Sequence, residues 1–436
     1  MAGKLRKEPL KGFRDLLPKQ VALRDEIYNL VSEIYKRYGF QRIETPSVEA
    51  YENLRGKLGG ENEKLVFEIA KRGEAQKRAI SSIVDGNASA PVLFDCGLRY
   101  DLTMPLSRYI AANAQDLPVP FRSFQFGDVW RADRPQDGRY RQFKQCDIDI
   151  VGEASTIAER EVLSAGYEAC REVARRFGLP KPYFAINDRR LLVETARVFG
   201  FTDTEIPEVL IELDKNDKCG IDGVEKAMLS KWDSNRVGKY CSFYRSVQEQ
   251  QSAVGYVMAL EAAVNDDDPS VFSPLMDTAL EIDSFSLLAF DEPETEVVRF
   301  DPFLVRGMGY YTGIGYELKI DGYPSSFGGG GRYDGMIGSF SGNPMPACGF
   351  SIGFERLASV IEKMEATSAS DDGEKSIAYL LGSKLPNQRR LEICGQAQKE
   401  RSEGKRVVIC SMRRNLRKQI EDLTSQGFDR IEKIFE

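Results

Sequence analysis

The chain has 436 residues, 60 Lys plus Arg against 67 Asp plus Glu, no histidine and a formal net charge of -7. That length suits two or three domains around a large core, and the acidic balance argues against a surface that clings to nucleic acid everywhere, while leaving room for a local basic face. Without histidine, serine-hydrolase triads and imidazole-ligated metal sites are excluded. Chemistry must then rest on carboxylates, Arg, Lys, Tyr, Cys, backbone donors or a bound metal. The eight cysteines are scattered without a CxxC pair, so neither a zinc site nor a disulfide framework is signalled. No run of about 18 apolar residues suggests a membrane span. The opening ten residues lack the apolar core of a signal peptide. A cytoplasmic protein is expected.

In chain order, residues 20–38 predict an amphipathic helix, with Leu23, Ile27, Leu30, Val31, Ile34, Tyr35 and Tyr38 at three- and four-residue spacing. Gly39 ends it, and Gln41–Glu44 reads as a strand stopping at Pro46. Short strands are predicted at Val92–Asp95, Leu98–Thr103 and Ser123–Trp130, and a long helix at 155–177. Residues 190–295 read as mostly helical and acidic. Strands and glycines return over 300–357, and the polar stretch Met364–Lys375 reads as a linker. Beyond it, Ile377–Leu381, Arg389–Gln398, Arg406–Ile409, Leu416–Ser425 and Ile431–Ile434 alternate strand and helix, predicting a small α/β domain.

Three constellations carry chemistry. In Phe121–Ile150 two strand-like runs flank Arg134-Pro-Gln-Asp-Gly138, which carries turn residues. Strand alternation puts Arg139, Arg141, Phe143, Gln145, Asp147 and Asp149 on one face, and Arg131 with Asp133 on one face of the other run. Guanidinium, amide and carboxylate groups together make a poor dry core but suit a polar molecule bearing phosphate, amine and ring-nitrogen groups. The bland alternative is a solvated hairpin with cross-strand ion pairs. In the second, Leu98-Arg-Tyr-Asp-Leu-Thr103, Asp101 and Thr103 fall on one strand face and could receive a substrate ammonium; alternatively one of them caps a helix beginning after Pro105. The third joins Leu304-Val-Arg-Gly-Met-Gly-Tyr-Tyr-Thr-Gly313, with Arg306 near Tyr310 and Tyr311, to Phe327-Gly-Gly-Gly-Gly-Arg-Tyr-Asp334 and Gly349–Arg356. Four consecutive glycines weaken a strand and call for a close approach, such as a ligand against the main chain. They form neither a Walker loop nor a dinucleotide fingerprint. Arg356 is also compatible with an ordinary surface position.

These blocks resemble the histidyl-tRNA synthetase family over most of the chain, from Gly12-Phe-Arg-Asp15 to Leu357. The first helix and strand resemble class II motif 1, which in the family builds a dimer interface. Trp130–Phe143 resembles motif 2 and Gly349–Arg356 motif 3. Leu304–Gly313, the Arg99–Thr103 block, the four-glycine block and Leu213-Asp-Lys-Asn-Asp-Lys218 resemble features of the histidyl subgroup. The commonest subgroup signature has Asp where this chain has Gly309.

The resemblance implies an α+β fold: a class II catalytic domain with an antiparallel sheet flanked by helices, a helical insertion, and a C-terminal α/β domain like an anticodon-binding domain. The implied division is catalytic residues 1–190 and 296–363, insertion 191–295, linker 364–375 and C-terminal domain 376–436. It also implies that histidine is adenylated with ATP and Mg2+ and esterified to tRNA, in a homodimer. Arg131 would hold the α-phosphate and Arg356 the γ-phosphate, with Asp133 nearby in the ATP and magnesium region. Arg306 would act at the α-phosphate and Arg139 near the reacting centre. Asp101, Thr103 and Gln145 would take the amino-acid ammonium and carboxylate. Asp149 and Tyr311 would bracket the imidazole, with Tyr310 and Tyr333 in the pocket. Lys405, Arg406, Arg413, Arg414, Arg417 and Lys418 form a basic cluster suited to phosphates or to a solvated face. The metal ligands stay unassigned. The competing readings are a noncatalytic paralogue that senses histidine as a regulatory subunit of histidine biosynthesis, and a synthetase-like stress sensor that binds uncharged tRNA.

Overall fold

The computed structural model describes residues 6–55, 65–134, 139–264, 269–287, 297–306, 310–365 and 376–435. The Asp-Gly turn residues 135–138, Gly309 and linker residues 366–375 lie outside this set. Two compact units, 1–363 and 364–436, divide the chain.

The strands of the first unit are β1 (Gln41–Arg42), β2 (Val48–Ala50), β3 (Phe67–Ala70), β4 (Phe94–Leu98), β5 (Phe121–Trp130), β6 (Gln142–Val151), β7 (Pro182–Asp188), β8 (Val298–Phe300), β9 (Ile314–Ile320), β10 (Gly328–Arg332) and β11 (Ala347–Ile352). Eight of them form one sheet in the order β1-β5-β6-β11-β10-β9-β7-β8. Its central pairs are antiparallel, as expected, but both edge pairs, β1 with β5 and β7 with β8, are parallel. The sheet is therefore mixed. A smaller antiparallel sheet has the order β2-β4-β3.

The helices of this unit are α1 (Pro18–Arg37), α2 (Tyr51–Leu54), α3 (Gly73–Val84), α4 (Thr103–Asn113), α5 (Ile157–Phe177), α6 (Arg189–Val198), α7 (Ile206–Leu213), α8 (Asn216–Leu229), α9 (Ser234–Ser246), α10 (Ala253–Val264), α11 (Pro269–Asp283), α12 (Gly338–Ser341) and α13 (Phe354–Glu365). Pro18 starts α1, where its missing N–H is no loss, and the Gln20 side chain accepts from Leu17 N at 2.9 Å. The apolar stripe of α1 buries Leu23, Ile27, Val31, Ile34 and Tyr35, and Tyr35 meets Phe124 of β5 edge-on at 5.3 Å. The long α5 lies against β11, β6 and β7. A Cβ on Gly166 would come 2.7 Å from the Phe350 ring, so bare backbone sets that close approach. Alternation along β6 and β11 sends Cys146, Ile148, Ile150, Phe350 and Ile352 into this core. It leaves Gln145, Asp147, Asp149, Gly349 and Ser351 for the opposite face.

Two expected strands differ. Residues 90–93 form a 3-10 turn before β4, and the segment after Leu98 is irregular until α4 begins at Thr103. Asp101 and Thr103 thus stand at a helix entrance, where the Met104 N–H donates to Asp101 Oδ1 at 3.2 Å. Helix α4 begins at Thr103, ahead of the start expected after Pro105; Leu102 is its N-cap, and Asp101, one residue earlier, satisfies an otherwise orphaned donor. Residues 364 and 365, read as linker, extend α13.

The helices α6–α11 join around aromatic rings: Tyr240, Tyr244, Phe243 and Tyr256 contact one another at 4.9 to 6.4 Å between centroids. Tyr256 and Tyr244 then reach Phe300 and Phe303. The second unit holds a three-stranded parallel sheet, β13 (Arg406–Ser411), β12 (Ser376–Leu381), β14 (Arg430–Ile434), with α14 (Asn387–Ser402) and α15 (Leu416–Ser425).

A buried fork fixes α5 to β10. Arg332 Nε and Nη2 donate to the two oxygens of Glu159 at 2.5 and 2.6 Å, and Glu159 is fully buried. Truncating Arg332 would strand that carboxylate. Arg332→Ala is expected to lose about 3–5 kcal/mol of stability. Denaturant unfolding checks this, and a loss below ~1 kcal/mol would refute the assignment.

Candidate active site

The polar face of the large sheet floors a cavity of about 440 Å³. All the residues singled out by motif reach it: Asp101, Thr103, Arg131, Asp133, Arg139, Gln145, Asp149, Arg306, Tyr310, Tyr311, Tyr333 and Arg356. Asp147 and Glu355 also line it. Arg141, expected on the same face, instead donates its Nε to the Asp133 carbonyl at 3.0 Å and stays out of the lining.

The floor is built by register. Asp149 and Asp147 on β6 stand opposite Gly349 and Ser351 on β11. A Cβ at Gly349 would fall 1.9 Å from Asp149 Oδ1, so only glycine leaves room for that carboxylate. Tyr333 donates its hydroxyl to Asp149 Oδ1 at 2.6 Å, and Gln145 donates Nε2 to Ser351 Oγ at 2.9 Å. Yet Oδ2 of Asp101, Oε1 of Gln145, Oδ1 of Asp147 and Oδ2 of Asp149 are buried without a hydrogen-bond partner among the described residues. Each such acceptor carries a desolvation cost until a donor arrives. Burial, then the neighbouring Asp101, pushes the Asp149 carboxyl up to about 7, against a partial opposing effect of the Tyr333 hydrogen bond. Burial likewise raises Asp101 to about 6, and burial with the adjacent Asp149 holds Asp147 well above the usual carboxylate range.

The walls are cationic. Arg131 leaves β5, donates Nε to the Tyr100 carbonyl at 2.9 Å and lies 5.2 Å from the Phe143 ring centroid. Arg306 donates Nη1 to Glu317 Oε1 at 2.7 Å, with its guanidinium 5.5 Å from the Tyr311 ring centroid. The four glycines acquire a reason here. A Cβ on Gly329 would sit 2.4 Å from Arg306 Nη1, and one on Gly315 would sit 2.8 Å from its Cγ. Gly330 faces the Gly349 carbonyl, Gly328 the Phe350 ring and Gly331 the Tyr311 ring. The close approach is therefore made largely by the protein's own side chains and strands, while Gly328, Gly329 and Gly330 also line the cavity. Arg356 donates to the Ser326 carbonyl; burial, then the nearby Arg139 charge, lowers its pKa.

Residue reading assigned no role to Asp147, Glu317, Glu355 or Arg14. Asp147 had a signal, since it alternates between Gln145 and Asp149. Glu317 had none, because its partner Arg306 lies on another segment. Glu355 is held by Arg14 and, at 2.9 Å, by Arg24, and Arg14 stacks 3.9 Å from the Tyr140 ring centroid. No cluster of three or more acidic or Cys side chains among the described residues forms a ready ion cage. Nor is any helix among them long and apolar enough to cross a membrane.

A mixed sheet bearing buried carboxyl and amide acceptors on its floor and arginines on its walls, within this order of motifs, defines a class II aminoacyl-tRNA synthetase architecture. The family model described as histidyl-tRNA synthetase matches residues 12–357, and the chain belongs to that family. Among relatives, the histidine–tRNA ligase of Leifsonia xyli subsp. xyli is 38% identical over 422 residues, 96% of this chain and 93% of that protein. The histidine–tRNA ligase of Korarchaeum cryptofilum is 36% identical over 352 residues, 80% of this chain and 73% of that protein. The solved histidyl-tRNA synthetase from Nostoc sp. PCC 7120 shares the fold at TM-score 0.74 and 23% identity, covering 99% of this chain and 92% of that one. So does a protein described as an ATP phosphoribosyltransferase regulatory subunit/histidyl-tRNA synthetase from Bacillus halodurans, at TM-score 0.75 and 19% identity, covering both chains fully.

The raised carboxyl on Asp149 has a sign that can be tested. A carboxyl whose folded-state pKa lies above its unfolded value binds extra protons when folded. It contributes stability below its ordinary pKa of 3.8, and that contribution is lost as pH rises through about 7. Asp149→Asn, neutral at every pH, should therefore gain stability relative to the parent between pH 4 and pH 8, by on the order of 2–4 kcal/mol. Thermal unfolding at the two pH values decides, and a difference independent of pH would count against the shift.

Proposed function

We propose that this chain is a histidine–tRNA ligase: it activates histidine with ATP to histidyl-adenylate and transfers the histidyl group to the 3' end of its tRNA. The observation that carries this is the meeting, in one cavity, of four arginines with four buried acceptors that have no partner among the described residues. A ligand with ammonium and ring N–H donors at one part and phosphates at another satisfies both sets, and a cavity of this size suits it.

Asp101, Thr103 and Gln145 receive the amino-acid ammonium and carboxylate. Asp149, fixed by Tyr333, and Tyr311 bracket the imidazole, with Tyr310 completing the wall. Arg131 and Arg306 hold the α-phosphate, Arg139 lies near the reacting centre, and Arg356 takes the γ-phosphate with Asp133 close by. The histidine carboxylate oxygen attacks the α-phosphorus in line, the bond to the pyrophosphate oxygen breaks, and pyrophosphate departs. The guanidinium groups stabilise the charge that develops on both products. A ribose hydroxyl at the tRNA terminus then attacks the acyl carbonyl and releases AMP. Magnesium would be held near Asp133 and would supply charge neutralisation at the phosphates.

Residues 1–190 and 296–365 form the catalytic domain, 191–295 the insertion and 376–436 the anticodon-binding-like domain. The active form is a homodimer in the cytoplasm. Arg131, Arg139, Arg306 and Arg356 all reach the cavity, and a sensor of histidine alone would not need them.

Histidine-dependent exchange of pyrophosphate into ATP tests the reading, with the other amino acids as controls. Exchange should occur with histidine alone. Arg306→Ala should lower its rate about 10²–10³-fold with little change in histidine affinity, since its charge acts on the transition state. Folded protein that binds histidine but exchanges with no amino acid would reject the ligase.

A further inference from the structure

Beside the main cavity lies a second, of about 500 Å³, lined by Arg139, Lys218, Arg356 and Lys363 together with Tyr323 and Ser359. Arg139 and Arg356 line both cavities, so the two adjoin. Their chemistry differs. Carboxylates of Asp101, Asp133, Asp147, Asp149 and Glu355 line the first. Among the described residues, no carboxylate lines the second, which has four cationic side chains and a buried Ser359 hydroxyl without a hydrogen-bond partner. Arg139, Lys218 and Lys363 are exposed and solvent screens them in part, yet the lining presents a positive surface to an arriving anion. Burial first, and then the Arg139 charge, lower the pKa of Arg356.

Lys218 comes from the block Leu213–Lys218, for which the adenylation site has no use. That block crosses from α7 to α8, on the far side of the chain's numbering from the strands it meets. Charge coupling places it beside β9: Asp214 feels Glu317, Lys218 and Arg306, and Lys319 feels Asp217. The helical insertion thus carries a cation to the mouth of the catalytic cavity.

We propose that this second cavity is a seat for inorganic pyrophosphate, in which Lys218 and Lys363 receive the departing group after Arg139 and Arg356 release it. The proposal rests on the ligase reading, which supplies pyrophosphate as product. Its ligand is a small, highly charged anion, because compact ammonium groups and a hydroxyl suit phosphate oxygens that arrive without a fixed plane. The seat acts on product capture and on the reverse reaction, where pyrophosphate must enter by the same route.

Lys218→Ala and Lys363→Ala in the full chain test it through exchange kinetics. Each variant should raise the KM for pyrophosphate roughly tenfold, the effect of losing one charge-assisted contact, with the KM values for ATP and histidine unchanged. Lys218→Arg should restore most of the loss. Unchanged KM values for ATP and histidine also show that the variants are folded. An unaltered pyrophosphate KM in both variants overturns the proposal. So does a defect confined to transfer from preformed adenylate to tRNA, which would assign the cations to the nucleic-acid strand. Calorimetric titration of pyrophosphate alone into the parent chain and Lys218→Ala separates this idea from the ligase reading. Weaker binding to the variant supports the seat even if no amino acid supports exchange, and equal binding rejects it.

Discussion

Carboxyl groups set into the face of a β-sheet, with part of their hydrogen-bonding capacity unmet, carry a desolvation cost. Asp101, Asp147 and Asp149 are each nearly fully buried, and each retains an oxygen without a hydrogen-bond partner among the described residues. Packing elsewhere must offset this, and it does so at identifiable points. The core between the sheet and helices α1 and α5 is apolar, and the Arg332–Glu159 fork ties β10 to α5 immediately before Tyr333, whose hydroxyl orients Asp149. The same unmet acceptors, held in place by the surrounding packing, are preorganised for a donor entering the cavity. Stability and binding are thus opposed through the same atoms.

Arginine placement follows a different principle. Arg306 rests against positions without side chains, Gly315 and Gly329, so its guanidinium lies close over the strands and is oriented by Glu317. A long flexible side chain is restricted on one side by backbone and on the other by Tyr311. Less rotamer freedom then remains to be lost when the charge is needed. The glycine run in β10 weakens that strand as an isolated element, but β9 and β11 hydrogen-bond to it on both sides.

How far the sequence carries depends on the residue. The face formed by Gln145, Asp147 and Asp149 was legible because strand alternation alone decides it, and the structure places all three in the cavity. The five elements of the C-terminal unit follow from simple apolar runs and turn residues. Asp101 and Thr103 were misplaced on a strand: Leu98-Arg-Tyr-Asp-Leu-Thr103 alternates as a strand would, but Asp101 serves a helix start, and tertiary context overrides the local pattern. The parallel edges of the sheet were invisible, since pairing between Gln41–Arg42 and β5 depends on segments about 80 residues apart. The glycine run signalled a close approach without saying what approaches. Arg306 lies over 20 residues upstream and Phe350 about 20 downstream, and only the folded sheet brings them to it.

The chain's lack of imidazole side chains bears on how this site can be observed. In most enzymes a titration near neutrality is crowded by histidine signals. Here the free protein has no such background, so the raised carboxyls of the cavity, Asp149 near pH 7 with Asp101 and Asp147 beside it, titrate without imidazole overlap. An isotope-labelled histidine ligand would likewise contribute the only imidazole resonances in its complex with the chain. Its tautomer and charge, and through them the protonation of any carboxyl it meets, would become directly readable by magnetic resonance without assigning a single protein residue.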